Sequence, residues 1–170
     1  MRNTVLALAA VAALAALAAC ASRPEPTPTQ PTGGNTTPPV TTPQGPTPGS
    51  VEDFRVSVGD RVFFGYDRFD LSTEARSVLE RQAAWLRRYP NTRVLVAGNC
   101  DERGTREYNL ALGARRAAAA RDFLVSLGID GGRIESVSYG KERPLDARAN
   151  EEAWSVNRNA HTQIVSGAVS

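Results

Sequence analysis

The residues best suited to bind a charged ligand lie in one run, Gly98-Asn99-Cys100-Asp101-Glu102-Arg103-Gly104-Thr105. Asp101 falls in a loop that we expect between a strand and a helix, and Arg115 and Arg116 lie further along that helix. An ammonium group would pair with Asp101, while a carboxylate would accept a forked hydrogen bond from Arg116. The residue types therefore favour a zwitterion site, although a surface salt bridge or a solvated helix face would explain them equally well.

The spacing supports this site only in part. Arg116 lies ten residues beyond Arg106, which is about 15 Å along a helix axis, so the loop carrying Asp101 must fold back toward it. Helical side chains lean toward the N-terminus, which points Arg116 in the required direction. Arg116 also shares a helix face with Asn109 and Thr105. We expect Asp101 and Arg116 to be at least partly exposed.

Periodicity and capping residues predict the elements that position these side chains. Ser72 or Thr73 begins a helix that Pro90 ends, Gly128 stops a second helix, and Asn150 caps a third. The strands are expected at 61–64, 93–97, 133–139 and 160–165, and the helices at 73–89, 105–127 and 150–157. The order β-α-β-α-β-α-β predicts an α/β (α+β) sandwich, with helices covering one mixed sheet. The strand order cannot be derived from the sequence.

The helix from 105 to 127 should bury one apolar stripe. Residues spaced by three, four and seven positions lie on the same side of a helix. The stripe is expected to contain Leu110, Ala117, Ala120, Leu124 and Leu127.

The first fifty residues differ in composition from the rest. Residues 1–19 have a basic start and an apolar stretch too short for most membrane spans, as in a secretory signal peptide, and Leu17-Ala18-Ala19-Cys20 resembles a bacterial lipoprotein box. Residues 20–50 contain nine of the eleven prolines and almost no large apolar side chains, which predicts a disordered Pro/Thr-rich tether. The folded domain is expected at 51–170. A transmembrane anchor, or a disulfide between Cys20 and Cys100, is the alternative.

Composition excludes several function classes. The formal net charge is only +2, so a nucleic-acid-binding protein is not expected. With one histidine and, if Cys20 is acylated, one remaining cysteine, we expect no metal site, and we expect no cofactor.

An enzyme is the alternative function. A periplasmic cysteine amidase would use Cys100 as nucleophile and His161, the single histidine, as base. Cys100 is more simply a small residue packed at a strand end, and His161 belongs to an alternating strand. We therefore expect no enzymatic activity.

Several motifs resemble a known family in both order and spacing. They are Asp101-Glu102-Arg103-Gly104-Thr105, Tyr108-Asn109, Leu112-Gly113, Arg115-Arg116-Ala117, Ser138-Tyr139-Gly140-Lys141-Glu142 and Asn157-Arg158. The stretch from about Phe54 to Val165 is similar to the OmpA-like domain of the peptidoglycan-associated lipoproteins. The leader and tether match the architecture of that family.

The resemblance implies non-covalent binding of peptidoglycan through the diaminopimelate of the stem peptide, a zwitterion. It implies that Asp101 and Arg116 are the main charged contacts, and that Thr105, Asn109, Phe64, Gly65 and Asp67 shape the pocket. It also implies lipidation of Cys20, an outer-membrane anchor with the domain in the periplasm, partnership with TolB and TolA in the Tol-Pal system, and a role in outer-membrane invagination at division.

The chain departs from the family pattern at several positions. Where the family commonly has Phe-Asp-x-Asp, this chain has Phe64-Gly65-Tyr66-Asp67, so any contact from Gly65 must use its backbone. Asn99 and Cys100 replace a histidine and a small residue before the loop aspartate, and Asn159 replaces the second arginine of an Asn-Arg-Arg motif.

Overall fold

The computed structural model describes residues 45–169. The predicted signal peptide (1–19), the predicted lipidation site at Cys20 and most of the predicted tether (20–50) lie outside the described residues. Among residues 45–169, no helix has the length and apolar character needed to cross a membrane.

The described chain begins with a helical segment that periodicity did not predict. A short α1 (Val51–Asp53), capped by Ser50, continues into a π-helical turn (Phe54–Val58). The carboxylate of Asp53 accepts hydrogen bonds from the Gly49 amide at 2.9 Å and from Trp85 Nε1 at 2.8 Å. Phe54 packs edge-on against the Trp85 ring, so this segment is part of the core.

The three predicted helices are confirmed. Each begins directly after a residue whose side chain caps its first turn. They are α2 (Thr73–Arg88), α3 (Arg106–Ser126) and α4 (Glu151–Asn157). Ser72, Thr105 and Asn150 each accept a hydrogen bond from a backbone amide three residues later. A single 3-10 turn (Gly131–Arg133) precedes the third strand.

The four strands form one mixed sheet, as predicted. They are β1 (Arg61–Phe63), β2 (Arg93–Asn99), β3 (Ile134–Gly140) and β4 (Asn159–Ser166), in the spatial order β1-β4-β2-β3. β2 and β3 are parallel, while β4 pairs antiparallel with both β1 and β2. The carboxyl ends of β1, β2 and β3 therefore lie at the same edge of the sheet, and the three loops that lead into helices meet there.

The buried face of α3 differs from the predicted apolar stripe at two positions, Leu110 and Arg116. Ala117, Ala120 and Leu124 are buried as expected, but Leu110 is half exposed. Asn109 and Leu112 are buried beside it, and in the middle of the helix Arg116 lies on the inner face with no exposed surface. A hydrophobic pattern cannot anticipate an arginine on the inner face.

Close packing of α3 on the sheet depends on two glycines. A Cβ at Gly98 on β2 would lie 1.8 Å from the carbonyl oxygen of Gly113 on α3, and a Cβ at Gly113 would lie 2.4 Å from Ser138 Oγ. The backbones of helix and strand thus meet with no side chain between them. This contact brings the helix N-terminus close to the end of β2.

His161 lies on β4 in a small polar cluster beside β1. Its Nε2 is 3.1 Å from Asp60 Oδ2, and its Nδ1 is 3.3 Å from Arg61 Nη2. A neutral ring that donates from Nε2 and accepts at Nδ1 satisfies both contacts. Burial and the charge of Arg61 lower the pKa of His161, although Asp60 acts in the opposite direction.

This cluster predicts a loss of stability in mild acid. The folded pKa of His161 is below the unfolded value of about 6.5, so the unfolded chain binds the proton first. The free energy of unfolding should therefore fall as the pH is lowered from 7 toward 5.5. Urea denaturation across this range measures it, and His161→Gln should flatten the dependence; an equal slope in the variant would contradict the assignment.

Candidate binding pocket

A pocket of about 160 Å³ lies at the carboxyl end of β2, between the β1–α2 loop, the β2–α3 loop and the first turns of α3. Its walls are Tyr66, Asp67, Cys100, Asp101, Arg103, Gly104, Tyr108, Asn109, Leu112 and Arg116. In sheets with parallel strands and helical crossovers, ligands commonly bind at this edge. A larger groove, of about 560 Å³, is more open and lies beyond Arg106 and Leu110. The smaller pocket holds the buried charges.

The structure brings the two principal predicted residues into this one pocket. Asp101 and Arg116 both line it, together with Asp67 and Asn109 from the predicted set. Thr105, Phe64 and Gly65 do not line it and act behind its walls. The expectation that Asp101 and Arg116 are partly exposed is wrong, since they are 4% and 0% exposed.

Asp101 already has cationic partners within the protein. Its Oδ2 lies 2.7 Å from Arg103 Nη2 and 3.4 Å from Arg158 Nη1, and its Oδ1 accepts from the Arg103 amide at 3.1 Å. Burial acts to raise the pKa of Asp101, but the hydrogen bonds from Arg103 and Arg158 outweigh it and keep the pKa below its usual value. Asp101 is therefore an ionised carboxylate at neutral pH.

Arg116 is held by backbone carbonyls instead of a carboxylate. Nε donates to the oxygen of Arg68 at 2.8 Å, Nη1 to that of Asn99 at 2.9 Å, and Nη2 to that of Gly65 at 3.1 Å. The guanidinium carbon also lies 5.2 Å from the centre of the Phe64 ring. Burial lowers the pKa of Arg116, yet a guanidinium stays protonated at any physiological pH. Two of its five N–H groups, one on each terminal nitrogen, donate to none of these carbonyls.

Asn109 and Thr105 hold the backbone of the β2–α3 loop. Asn109 Nδ2 donates to the carbonyl oxygens of Arg103 at 2.7 Å and Thr105 at 3.0 Å, while Thr105 caps α3. On the other side of the loop, Lys141 Nζ donates to the carbonyl oxygens of Glu102 and Gly104. These residues shape the pocket by fixing its loop, a role for Lys141 that sequence reasoning missed.

Arg103 is the pocket residue that sequence reasoning did not single out. Its guanidinium carbon lies 4.2 Å from the centre of the Tyr66 ring and 4.1 Å from that of Trp154. The side chain is 30% exposed and also approaches Glu151 at 3.8 Å. The spacing of Arg103, two residues after Asp101, could have indicated the ion pair between them. The contacts with Tyr66 and Trp154 involve distant parts of the chain, so no local pattern indicated them.

The β1–α2 loop supplies the remaining wall. Asp67 adopts a left-handed conformation, with φ of 54°, and its carboxylate accepts a short hydrogen bond from the hydroxyl of Tyr108. Gly65 contributes its carbonyl to Arg116 and no side chain, and a backbone contact of Gly65 with a ligand stays a prediction.

Cys100 and His161 do not form a nucleophile and base. Cys100 Sγ donates to the Asn109 carbonyl, and burial raises the pKa of its thiol, so the reactive thiolate is disfavoured. His161 is engaged by Asp60 and Arg61 and lines a different cavity. Within the described part of the chain, no cluster of acidic, histidine or cysteine side chains could hold a metal ion.

The charges around the pocket balance. Two carboxylates, Asp67 and Asp101, and two guanidinium groups, Arg103 and Arg116, line it. Next to them, Arg158 pairs with Glu151. A ligand with a net charge would leave one charge uncompensated in a partly buried cluster, which is costly. The arrangement therefore suits a neutral ligand that carries one positive and one negative group.

Comparisons with known proteins agree on the family. A model described as "OmpA family" matches residues 63–158. The chain is 54% identical over 122 residues to a peptidoglycan-associated lipoprotein of Rhizobium meliloti (strain 1021), covering 72% of this chain and 69% of that one. It is 55% identical over 122 residues to the protein of the same name from Agrobacterium fabrum (strain C58 / ATCC 33970), covering 72% and 68%.

A solved structure supports the same assignment. The crystal structure of the peptidoglycan-associated lipoprotein from Burkholderia pseudomallei superposes with a TM-score of 0.60 at 39% identity, covering 62% of this chain and 89% of that one. These relatives form a structural binding family and not a family of enzymes. With the mixed sheet, the pocket at its edge and matches of this extent, the chain belongs to the OmpA family and, within it, to the peptidoglycan-associated lipoproteins.

Proposed function

We propose that this protein is a lipoprotein anchored in the outer membrane, whose periplasmic domain binds peptidoglycan non-covalently and so links the membrane to the cell wall. The ligand is the diaminopimelate of the stem peptide, whose side chain ends in a free ammonium and a free carboxylate. The observation that supports this best is the charge-balanced pocket containing both Asp101 and Arg116.

The pocket supplies one partner for each ligand charge. The Asp101 carboxylate is ionised and lines the wall, so it can accept hydrogen bonds from an ammonium. Arg116 has one unused N–H on each terminal nitrogen, so it can donate to a carboxylate without releasing the three carbonyls. Asn109 and Lys141 keep the loop in place whether or not a ligand is bound.

The attachment of the tether supports a linking role. Gly49, where the chain enters the domain, accepts a hydrogen bond from the Val169 amide. Thr92, directly before β2, donates to the Gly167 carbonyl nearby. The chain therefore enters at the edge of the sheet opposite the pocket. A polyproline-like tether of some thirty residues would add a reach of up to roughly 90 Å between membrane and wall.

We further propose that the protein works in the Tol-Pal system with TolB and TolA, drawing the outer membrane inward at division. The family membership supports this partnership. In-cell cross-linking of the full chain, followed by mass spectrometry, should recover TolB; its repeated absence, with TolB present in the cells, would contradict the assignment.

Asp101→Asn should weaken cell-wall binding by at least about thirtyfold, because losing one partner of a buried charged pair costs about 2–5 kcal/mol of binding. The side chain keeps its size, so the domain should still fold, although Arg103 and Arg158 each lose an ionic partner. Sedimentation with purified sacculi measures binding, and free diaminopimelate should compete. Asp122→Asn, an exposed change on α3, is the matched control.

Replacing Arg116 is expected to affect folding as well as ligand binding. Arg116→Ala would remove three hydrogen bonds from a charged donor to backbone carbonyls, so we expect a loss of at least about 3 kcal/mol in the free energy of unfolding. Loss of binding in that variant therefore does not separate contact from folding. Binding that survives in a folded Asp101→Asn variant would reject the proposed site.

The lipid anchor has its own test. Cells grown with labelled palmitate should incorporate the label into the wild-type protein and not into Cys20→Ser, because the thiol of Cys20 is the proposed acceptor. The variant should leave the outer-membrane fraction, since several acyl chains are needed for firm anchoring. Label retained in Cys20→Ser would contradict the proposal, and Cys100→Ser is the matched control.

A further inference from the structure

Arg103 already pairs with Asp101, the carboxylate to which the proposed function assigns the ligand's ammonium group. Its Nη2 and Nε lie 2.7 Å and 3.2 Å from the two oxygens of Asp101, so the carboxylate is already paired. Tyr66 and Trp154 hold the same guanidinium through their ring faces. The pocket thus contains a cation of its own, bound as an aromatic cage and a carboxylate bind a ligand cation.

The side chain of Arg103 is the most exposed of the three guanidinium groups Arg103, Arg116 and Arg158, while its backbone is held on both sides. Asn109 holds the Arg103 carbonyl, and Lys141 holds the carbonyls on both sides of it, at Glu102 and Gly104. The side chain is 30% exposed and lies at the surface of the pocket. Arg116 is completely buried and Arg158 is 8% exposed, so neither has comparable freedom.

We propose that Arg103 competes with the ligand's ammonium for Asp101 and thereby makes the pocket selective for a zwitterion over a simple cation. This inference rests on the proposed function and concerns how the same pocket discriminates between ligands. Arg103 is thus a residue that determines ligand specificity and does not take part in any reaction.

The selectivity follows from counting charged pairs. An ammonium that takes Asp101 displaces Arg103, which then keeps only Glu151, at 3.8 Å. A zwitterion brings a carboxylate that can pair with the displaced guanidinium as well as with Arg116, so every charge keeps a partner. A ligand with an ammonium alone, such as a stem peptide with lysine in place of diaminopimelate, leaves Arg103 without compensation.

Calorimetry measures the affinity of the full chain, kept in detergent, for each of two synthetic tripeptides. One is L-Ala-D-Glu-meso-diaminopimelate, and the other has L-lysine at the third position. We expect the wild type to prefer the first by at least about tenfold, or about 1.4 kcal/mol. In Arg103→Gln the lysine peptide should bind more tightly than it does to wild type, and the preference should fall below about threefold.

The direction of the change separates selectivity from damage, because a disordered pocket would weaken both peptides. Arg106→Gln, an exposed change at the start of α3 whose side chain pairs with Glu142, should retain the wild-type preference. Trp154→Leu removes one of the two aromatic contacts, so it should strengthen binding of the diaminopimelate peptide while keeping the preference.

Two results would overturn the inference. They are an unchanged preference in a folded Arg103→Gln variant, and loss of both peptides from that variant with an unchanged thermal melting temperature. The proposed function fails separately, when Asp101→Asn binds the diaminopimelate peptide as the wild type does.

Discussion

The buried guanidinium of Arg116 ties together the two loops that form the pocket. It has no exposed surface, and its three hydrogen bonds within the described residues go to backbone carbonyls and not to a carboxylate. Placing a charge in such a position is costly unless its donors are satisfied. Carbonyls of Gly65 and Arg68 in the β1–α2 loop and of Asn99 at the end of β2 meet that need. One side chain thereby sets the distance between the pocket walls.

The rest of the pocket follows from this arrangement. With the walls fixed and the loop backbone held by Asn109 and Lys141, Asp101 is desolvated and needs partners inside the protein. Arg103 and Arg158 supply them. Under the proposed function, binding is an exchange of charged partners and not the pairing of two free charges, which suits a reversible contact.

Sequence reasoning succeeded where local rules decide structure. Ser72, Thr105 and Asn150 placed the helix starts because capping is a short-range interaction. It failed at Leu110 and Arg116, because a hydrophobic stripe assumes that polar residues face water. It also missed α1 and its π-helical continuation, which is stabilised by contacts of Asp53 and Phe54 with the distant Trp85.

The sequence by itself determined the order of the elements, the loop that carries Asp101 and the family to which the chain belongs. These depend on neighbouring residues and on motif spacing. Only the tertiary structure decided that β4 lies between β1 and β2, and that the ends of three strands therefore share one edge. The contacts of Arg103 with Tyr66 and Trp154 were likewise a tertiary outcome. Residues separated by 37 and 51 positions meet there because the sheet order, which no local interaction encodes, brings their loops together.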